Sequence, residues 1–467
     1  MKMWSGRFRE PLDPQFEDWQ RSSKFDLRLL PYEIAASCAH ARALKDAGIL
    51  NSDELISILA GLDQLGKKVA ASPESLKQVE AEDVHHFVEQ QLVLLIGETG
   101  YKLHSGRSRN EQIAADLRLY VRDAIGRLRT GLAEFCGVLV ERAEGSGNFA
   151  MPAYTHLQRA EPVLVAHWLL AYFEMFIRDA DRLADCRKRA NISPLGSGAA
   201  AGATLPVDRH AIADNLEFEG ITANSIDATS DRDFVLEFVN VLSLLALHLS
   251  RWAEEMILFS SEEFGFVGLP EAYSTGSSAM PQKKNPDLLE LTRAKVARVI
   301  GDATTLSITI KGLPLAYNKD LQETQEPLFD AVETIEPLLP LVTNWMRSAE
   351  FNYQRMQEAC QSGFMNAWAA ATYLVKRGVP ARLAHQVIGK AVQLCVAKNC
   401  ELQDLPLEQL RQFSSKFDQD FYDSVGLDAV LAIHDVPGGT AAGQVKRALA
   451  EARLSIESLR ERVNAHA

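Results

Sequence analysis

The sequence predicts an all-α protein organised around a central bundle of long helices, and three observations carry that prediction. Proline, which removes a backbone donor and clashes with the preceding helical turn, is absent between Pro73 and Pro152 and again between Pro206 and Pro270. Within those gaps apolar residues recur at i, i+3, i+4 and i+7, the spacing of a helix face. Strand signals are few: there is no recurring period-two alternation, no Asn-Gly hairpin and no alternation of strands with helices.

Taken in order, the chain opens with a mixed, mostly helical segment to about residue 108. A helix is expected from an Asn110 cap to Glu144, with Ile113, Leu117, Tyr120, Val121, Ile125 and Leu128 on one side. Glu161-Pro162 predicts the start of another, running through Arg189 with proline at its first position. Ile221 to Phe264 has no glycine, and Phe234–Ser260 carries apolar side chains at i, i+3, i+4 and i+7 almost throughout. That stretch predicts a helix about 40 Å long at 1.5 Å per residue. Its apolar positions spread around most of the circumference, so it must be surrounded by other helices. Pro286-Asp287 opens a further helix to about Lys311, and a Leu/Ala-rich segment of shorter helices closes the chain. The expected division is 1–108, 109–360 and 361–467. A bundle of this kind leaves an apolar face that self-association would bury.

Composition narrows the functions available. The 467 residues carry a formal net charge of −13, which repels polyanions, so nucleic acid is not an expected partner. Hydrophobic residues make up 47% and charged residues 24%, the proportions of a folded globular chain. The six cysteines, at positions 38, 136, 186, 360, 395 and 400, form no C-x-x-C pair and predict reduced, mostly buried thiols. The amino terminus lacks the apolar core of a signal peptide, and the longest apolar run, near Phe238–Leu249, falls short of the ~18 residues of a membrane span. The expectation is a cytoplasmic protein with no membrane association.

Four polar, glycine-containing clusters interrupt the Leu/Ala background. Leu103-His104-Ser105-Gly106-Arg107-Ser108-Arg109-Asn110 places two arginines immediately before a helix, where free N–H groups and guanidinium groups would bind a carboxylate or phosphate; an ordinary capped loop fits equally. Tyr154-Thr155-His156-Leu157-Gln158-Arg159 carries a histidine that by itself also fits a structural role. Ser274 to Pro286 offers hydroxyls on a glycine-containing loop followed by Lys283, Lys284 and Asn285, a loop suited to closing over an anion. Lys311 to Glu323 brings Tyr317, Asn318, Lys319 and Gln322 after a helix-ending Gly-Leu-Pro. No group has metal-ligand spacing, no phosphate-binding loop is present, and Gly196-Ser197-Gly198 with Gly202 lacks a strand before it and is read as backbone packing. Proton-transfer and oxyanion groups are left, with no metal and no cofactor.

Gly276-Ser277-Ser278-Ala279-Met280-Pro281-Gln282-Lys283-Lys284-Asn285-Pro286 resembles the signature of the fumarase/aspartase superfamily and, in this fuller form, that of its argininosuccinate lyase family. The resemblance extends through Trp4-Ser5-Gly6-Arg7-Phe8, Glu82-Asp83-Val84-His85, Ser108-Arg109-Asn110, Tyr154 to Ala160, Ser230-Asp231-Arg232-Asp233 and Tyr317 to Glu323. It implies a three-domain fold whose central helices assemble into a homotetrameric core, with each site shared between subunits. It also implies cofactor-free, reversible cleavage of argininosuccinate to arginine and fumarate in arginine synthesis. Carried over residue by residue, it makes Ser277 the group that removes the proton beside the carboxylate and pairs His156 with it. Ser22, Ser108, Arg109, Asn110, Thr155, Lys283, Asn285, Tyr317 and Gln322 match substrate-contacting positions, and Asp83 and His85 fall in a supporting block. Glu323-Thr324-Gln325 stands where Glu-Asp-Lys is common in the family, so neutral Gln325 replaces an expected cation; Ser105 and Glu111 replace a common Thr and Asp. Adenylosuccinate lyase, another eliminase of the superfamily, or a non-enzymatic crystallin-like relative are the alternatives.

Overall fold

The computed structural model describes residues 10–72 and 80–464, which leaves the Trp4–Phe8 block outside the described residues. The architecture is helical, with three short two-stranded antiparallel ladders among the described residues. Contacts divide the chain into two compact units, one of Met1–Leu128, Asp181–Ala246 and Lys295–Glu336, the other of Arg129–Ala180, Leu247–Ala294 and Pro337–Ala467.

In the first unit, helix α1 (Leu30–Asp46) and helix α2 (Val84–Ile96) accompany the start of helix α3 (Arg109–Gly145). Ala36, Ala39 and Ala43 of α1 meet Ala115 and Leu119 of α3 in one buried cluster with Leu195 and Ile212. Alanines on both sides let the two helix backbones approach closely, so polar side chains one turn further along are sealed from water. Tyr120 is packed edge-on between Tyr32, 5.9 Å away, and Phe329, 5.1 Å away. The Arg28 guanidinium lies 4.4 Å above the Phe329 ring.

The second unit holds a core of large aromatics drawn from four helices: α3, α4 (Val165–Ala190), α5 (Asp233–Ser260) and, beyond α6 (Asp287–Ile310), α7 (Leu338–Ser348). Phe135 of α3 stands edge-on to Phe176 of α4 at 4.9 Å and to Trp252 of α5 at 5.5 Å; Trp252 in turn meets Trp345 of α7 at 5.3 Å and 90°. Edge-to-face contacts of this kind add to the area they bury. Further along, Leu374, Ala384, Ile388, Leu402, Phe417 and Phe421 make a separate apolar cluster, and the closing helix α8 (Ala442–Asn464) buries Val445, Ala452, Ile456, Leu459 and Val463.

Helices α3, α5 and α6 fall within two residues of the expected ends. Four expectations need correction. Pro162 does not open a helix: Gln158–Leu164 is strand β2, paired antiparallel with β1 (Ala150–Thr155), and α4 begins only at Val165. Pro152 faces Pro162 in that ladder, where both lie at the edge of a two-stranded sheet that makes no use of the missing N–H groups. The carboxy-terminal segment ends in a 23-residue helix, not only in short ones. Three cysteines, Cys136, Cys186 and Cys395, are buried and three are half-buried. Finally, α5 spans 28 residues with a window of mean hydropathy 1.5, long and apolar enough to cross a bilayer; half of that window is buried in the protein. Trp252, Phe238, Leu242, Leu245 and Leu249 are all within the interior, so packing accounts for this apolarity.

Trp252→Ala removes the ring shared by Phe135 and Trp345 and should lower unfolding stability by about 3–5 kcal/mol, as read from a urea transition followed by far-ultraviolet circular dichroism.

Candidate active site

In the first unit a cavity of about 150 Å³ is bordered by Ser22, Asp83, His85, Arg109, Asn110, Tyr317 and Gln322. All seven are residues singled out in the sequence. Most are held by a hydrogen bond or an ion pair. Asp83 caps α2, its Oδ1 accepting from the His86 N–H at 2.7 Å, and its Oδ2 accepts from Arg109 Nη1 at 2.8 Å. Ser22 Oγ donates to Asp26 Oδ2 at 2.7 Å, one helical turn on. Gln322 Nε2 donates to the Gln20 carbonyl at 3.2 Å, and Asn110 Nδ2 to the Ala199 carbonyl at 3.3 Å. Burial raises the Tyr317 hydroxyl above its ordinary value, against the neighbouring Arg232 cation.

The cavity wall also includes Asp26, Glu82 and Ile113, which the sequence does not single out for this site, together with Lys319 of the fourth polar cluster and Gln325, the neutral residue in place of an expected cation. The sequence carries a signal for two of the three unselected residues: Asp26 lies four residues after Ser22, and Glu82 adjoins Asp83. Burial, reinforced by the charge of Asp83, pushes the Asp26 carboxyl up to about 7. Gln325 is 3% exposed, and its Oε1 has no hydrogen-bond partner among the described residues. The cavity therefore presents acids (Asp26, Glu82, Asp83), bases (Arg109, Lys319, His85) and neutral amides side by side. Such a wall suits a ligand that carries charges of both signs.

Beneath it lies a buried ionic network. His85 Nδ1 is 3.0 Å from Glu33 Oε2 and 3.8 Å from Asp116 Oδ2, with every side chain nearly inaccessible. Glu33 Oε1 accepts from Ser37 Oγ at 2.7 Å and Gln112 Nε2 at 3.0 Å, with Arg107 Nη2 at 3.5 Å. Burial alone would discharge the imidazole, but Glu33, Asp83 and Asp116 outweigh it and lift His85 to about 9. Burial likewise opposes the Glu33 carboxylate; Arg107 and His85 prevail and hold it below the usual carboxylate range. Burial and the Glu33 charge raise Asp116 well above its ordinary value. The Glu33, His85 and Asp116 ligand atoms lie within 4.8 Å of one another, as in a metal site, yet the Arg107 guanidinium and the imidazolium already supply the positive charge there.

In the second unit, Thr155 and His156 are exposed at the tip of the β1–β2 hairpin. Thr155 pairs with Gln158, which leaves His156 and Leu157 as a two-residue turn with φ of 55° and 57°. Two left-handed residues in succession define the type I′ turn, which normally takes Asn-Gly. Neither residue here is glycine, so the tip stores strain of about 1–2 kcal/mol per residue, a condition that clusters at functional sites. The strands are anchored by Arg159 Nη1 donating to Ser362 Oγ at 2.8 Å and by the Leu164 N–H donating to Thr440 Oγ1 at 2.8 Å.

The signature segment is a second hairpin. Thr275–Gly276 (β3) pairs with Lys284–Asn285 (β4), and Asp287 Oδ2 accepts from Thr275 N–H and Oγ1 at 3.1 and 2.7 Å, tying the base of the loop to the start of α6. Ser277 Oγ, half-exposed, accepts from the N–H groups of Ala279 at 3.3 Å and Met280 at 3.1 Å. Two amide donors on one hydroxyl oxygen favour its deprotonated form. Asn285 Nδ2 donates to the Gly276 carbonyl at 3.5 Å, and Lys283 is exposed. Ser277 and His156 are not hydrogen-bonded to each other among the described residues. Ser108 borders a separate cavity of about 740 Å³, shared with Arg109 and the glycine loop 198–202.

The class of protein follows from these features together with their likeness to known proteins. A family model described as Lyase matches residues 6–301, and one described as Argininosuccinate lyase C-terminal matches 364–432. The argininosuccinate lyase of Acidobacterium capsulatum is 58% identical over 454 residues, 96% of this chain and 93% of that protein. Among solved structures, EDDS lyase in complex with formate superposes with a TM-score of 0.85 at 25% identity, over 98% of this chain and 93% of that one. Class II fumarase from Schistosoma mansoni shares the fold, with a TM-score of 0.74 at 16% identity, over 88% and 91% of the two chains. The fold is thus that of the fumarase/aspartase lyases. Within that class the chain belongs to the argininosuccinate lyase family.

The buried network generates a pH signature. The raised His85 value contributes stability that is complete below its unfolded value of ~6.5 and is lost as pH rises through about 9. Glu33→Gln leaves the imidazolium without its main partner and should cost about 3–5 kcal/mol near pH 6. In urea titrations at a series of pH values, the gap between this variant and the parent should narrow once the pH passes the His85 transition.

Proposed function

We propose that this chain catalyses the reversible, non-hydrolytic cleavage of argininosuccinate to arginine and fumarate, the closing step of arginine synthesis. The reading includes a cytoplasmic location, no cofactor, a three-part organisation (1–108, 109–360, 361–467) and a homotetramer in which each site draws on several subunits. The observation that carries it is the convergence of Ser22, Asp83, His85, Arg109, Asn110, Tyr317 and Gln322 on one mixed-charge cavity, in a chain of the argininosuccinate lyase family.

The chemistry follows from the groups present. Removal of a proton from the succinyl carbon beside a carboxylate places a second negative charge on the carboxylate oxygens. Donors already aimed at those oxygens make that intermediate accessible. Ser277 takes the proton, its alkoxide favoured by the Ala279 and Met280 N–H groups and by Lys283 nearby in the loop. Lys283, Asn285 and loop N–H groups receive the developing charge, and His156 exchanges protons with Ser277. The electron pair of the C–H bond then becomes the double bond of fumarate, the C–N bond breaks, and the departing guanidino nitrogen takes up a proton. Loop closure excludes water and strengthens each of these interactions.

Two features support assembly. His156 sits at an exposed hairpin tip and Ser277, half-exposed, at the start of its loop. Apolar residues of the long helices, Leu244 and Leu247 on α5 with Leu291, Ile300 and Ile308 on α6, are 41–63% exposed, surface that a closed oligomer would bury. Copies of the chain would then bring the loops of one to the cavity of another.

Incubation with argininosuccinate should generate fumarate, followed as ultraviolet absorbance; fumarate from adenylosuccinate instead would shift the reading to that sister enzyme, and no turnover of either by the assembled protein would point to a crystallin-like role. Ser277→Ala should lower the rate by at least about a hundredfold without changing the assembly state measured by light scattering. Co-refolding Ser277→Ala with His156→Asn should restore part of the activity, because some mixed tetramers then contain a site with both groups intact; rates no higher than either parent would contradict shared sites.

A further inference from the structure

One buried carboxylate ties the loop that carries Ser108, Arg109 and Asn110 to a second loop far away in the chain. Glu111 is 1% exposed. Its Oε1 accepts from the Ser108 N–H at 3.0 Å, and its Oε2 accepts from the Gly198 N–H at 3.0 Å, 87 residues away in the chain. The first bond is half of a capping box: Ser108 is the cap of α3, its Oγ accepting from the Asn110 N–H at 3.3 Å while the acidic side chain three residues on returns to the cap. A capping box needs only one carboxylate oxygen. The second oxygen reaches out of the helix altogether.

The loop it reaches is built for that contact. Gly198 has φ of 61°, and a Cβ there would stand 2.6 Å from the Gly202 carbonyl oxygen. Only glycine lets this backbone curl so tightly that its N–H faces Glu111. Two further contacts join the same loops: Asn110 Nδ2 to the Ala199 carbonyl at 3.3 Å, and Gly106, whose Cβ would fall 2.8 Å from Leu205 Cδ1. Between the loops lies the 740 Å³ cavity bordered by Ser108, Arg109 and residues 198–202.

We infer that Glu111 is a positioning residue for the reaction: by bridging Ser108 and Gly198 it sets the distance between the arginine loop and the glycine loop, and so the place where Ser108, Arg109 and Asn110 meet the substrate. The inference rests on the lyase reading above for its kinetic consequence, whereas the bridge itself stands on geometry. Both oxygens accept, so the bridge requires the ionised carboxylate. Burial raises the Glu111 value, opposed by the Ser108 and Gly198 N–H groups and by Arg107. The charged groups facing it are Arg107, from the arginine loop, and Arg209, from helix Arg209–Asn215. Protonation sets an O–H against one of the N–H donors and opens the bridge, which adds Glu111 to the acid limb of kcat/KM.

Glu111→Gln keeps the shape but leaves one acceptor for two N–H groups. In the full-length variant the Ser108 and Gly198 amides should exchange hydrogen at least about tenfold faster, KM for argininosuccinate should rise by about tenfold with kcat within about twofold, and the acid limb of kcat/KM should flatten. The control is Asn51→Ala, which breaks the equivalent capping box at helix Ser52–Ala71 and should leave KM and the pH profile at parental values. Unchanged exchange at Gly198 overturns the bridge. Faster exchange with parental KM and pH profile, or a KM rise matched by Asn51→Ala, overturns the positioning role. A parent that forms no fumarate removes the lyase reading and the positioning role with it, while the exchange data still decide the bridge.

Discussion

The His85 side of the cavity rests on a carboxylate that water does not reach. Glu33, on α1, receives hydrogen bonds or ionic contacts from His85 of α2, from Arg107, and from Gln112 of α3. Three separate segments are therefore tied to one buried charge, and displacing any of them would leave that charge unpaired, a cost of several kcal/mol. The small alanines between α1 and α3 are what allow this: they bring the helices close enough for the network to close while excluding solvent. Specific placement of Asp83 and Arg109 at the surface of the cavity is the outcome, and the ion pair between them is oriented from below.

Long-range order in the helices was legible because it depends on a property local to each segment. A helix that must be surrounded shows apolar residues on most of its circumference, and α5 shows this from Phe234 onward; its neighbours Phe135, Phe176 and Trp345 are then required in kind, though not in identity. The hairpins were not legible for the same reason in reverse. Glu161-Pro162 has the local chemistry of a helix start, and only the pairing of Pro162 with Pro152 across the turn makes it a strand. His156-Leu157 lacks the Asn-Gly that would have announced a type I′ turn, so a strained turn looked like an ordinary loop.

The site was partly legible. The motif blocks contained the residues that converge on the cavity, since spacing within a block survives folding. Glu33, Asp116 and Glu111 were invisible as partners because what they do depends on which segments fold against them: a Glu at the third position of a helix reads as a cap, and nothing near it in the chain mentions Gly198. Gln325 is legible as a missing cation, and the structure adds that its carbonyl oxygen is sealed in without a hydrogen-bond partner among the described residues, which a charge comparison alone could not give.

The apolarity of α5 also bears on how the chain is made. Helices α3 and α4 precede it, but Trp345, which seals the far side of Trp252, lies 85 residues beyond Ser260. At typical elongation rates of about 5–20 residues per second, a newly synthesised segment with the greasiness of a membrane anchor waits on the order of ten seconds for this partner. The first strands of packing it finds, on α3 and α4, must be enough to keep it from bilayers and from other nascent chains until the ribosome delivers α7.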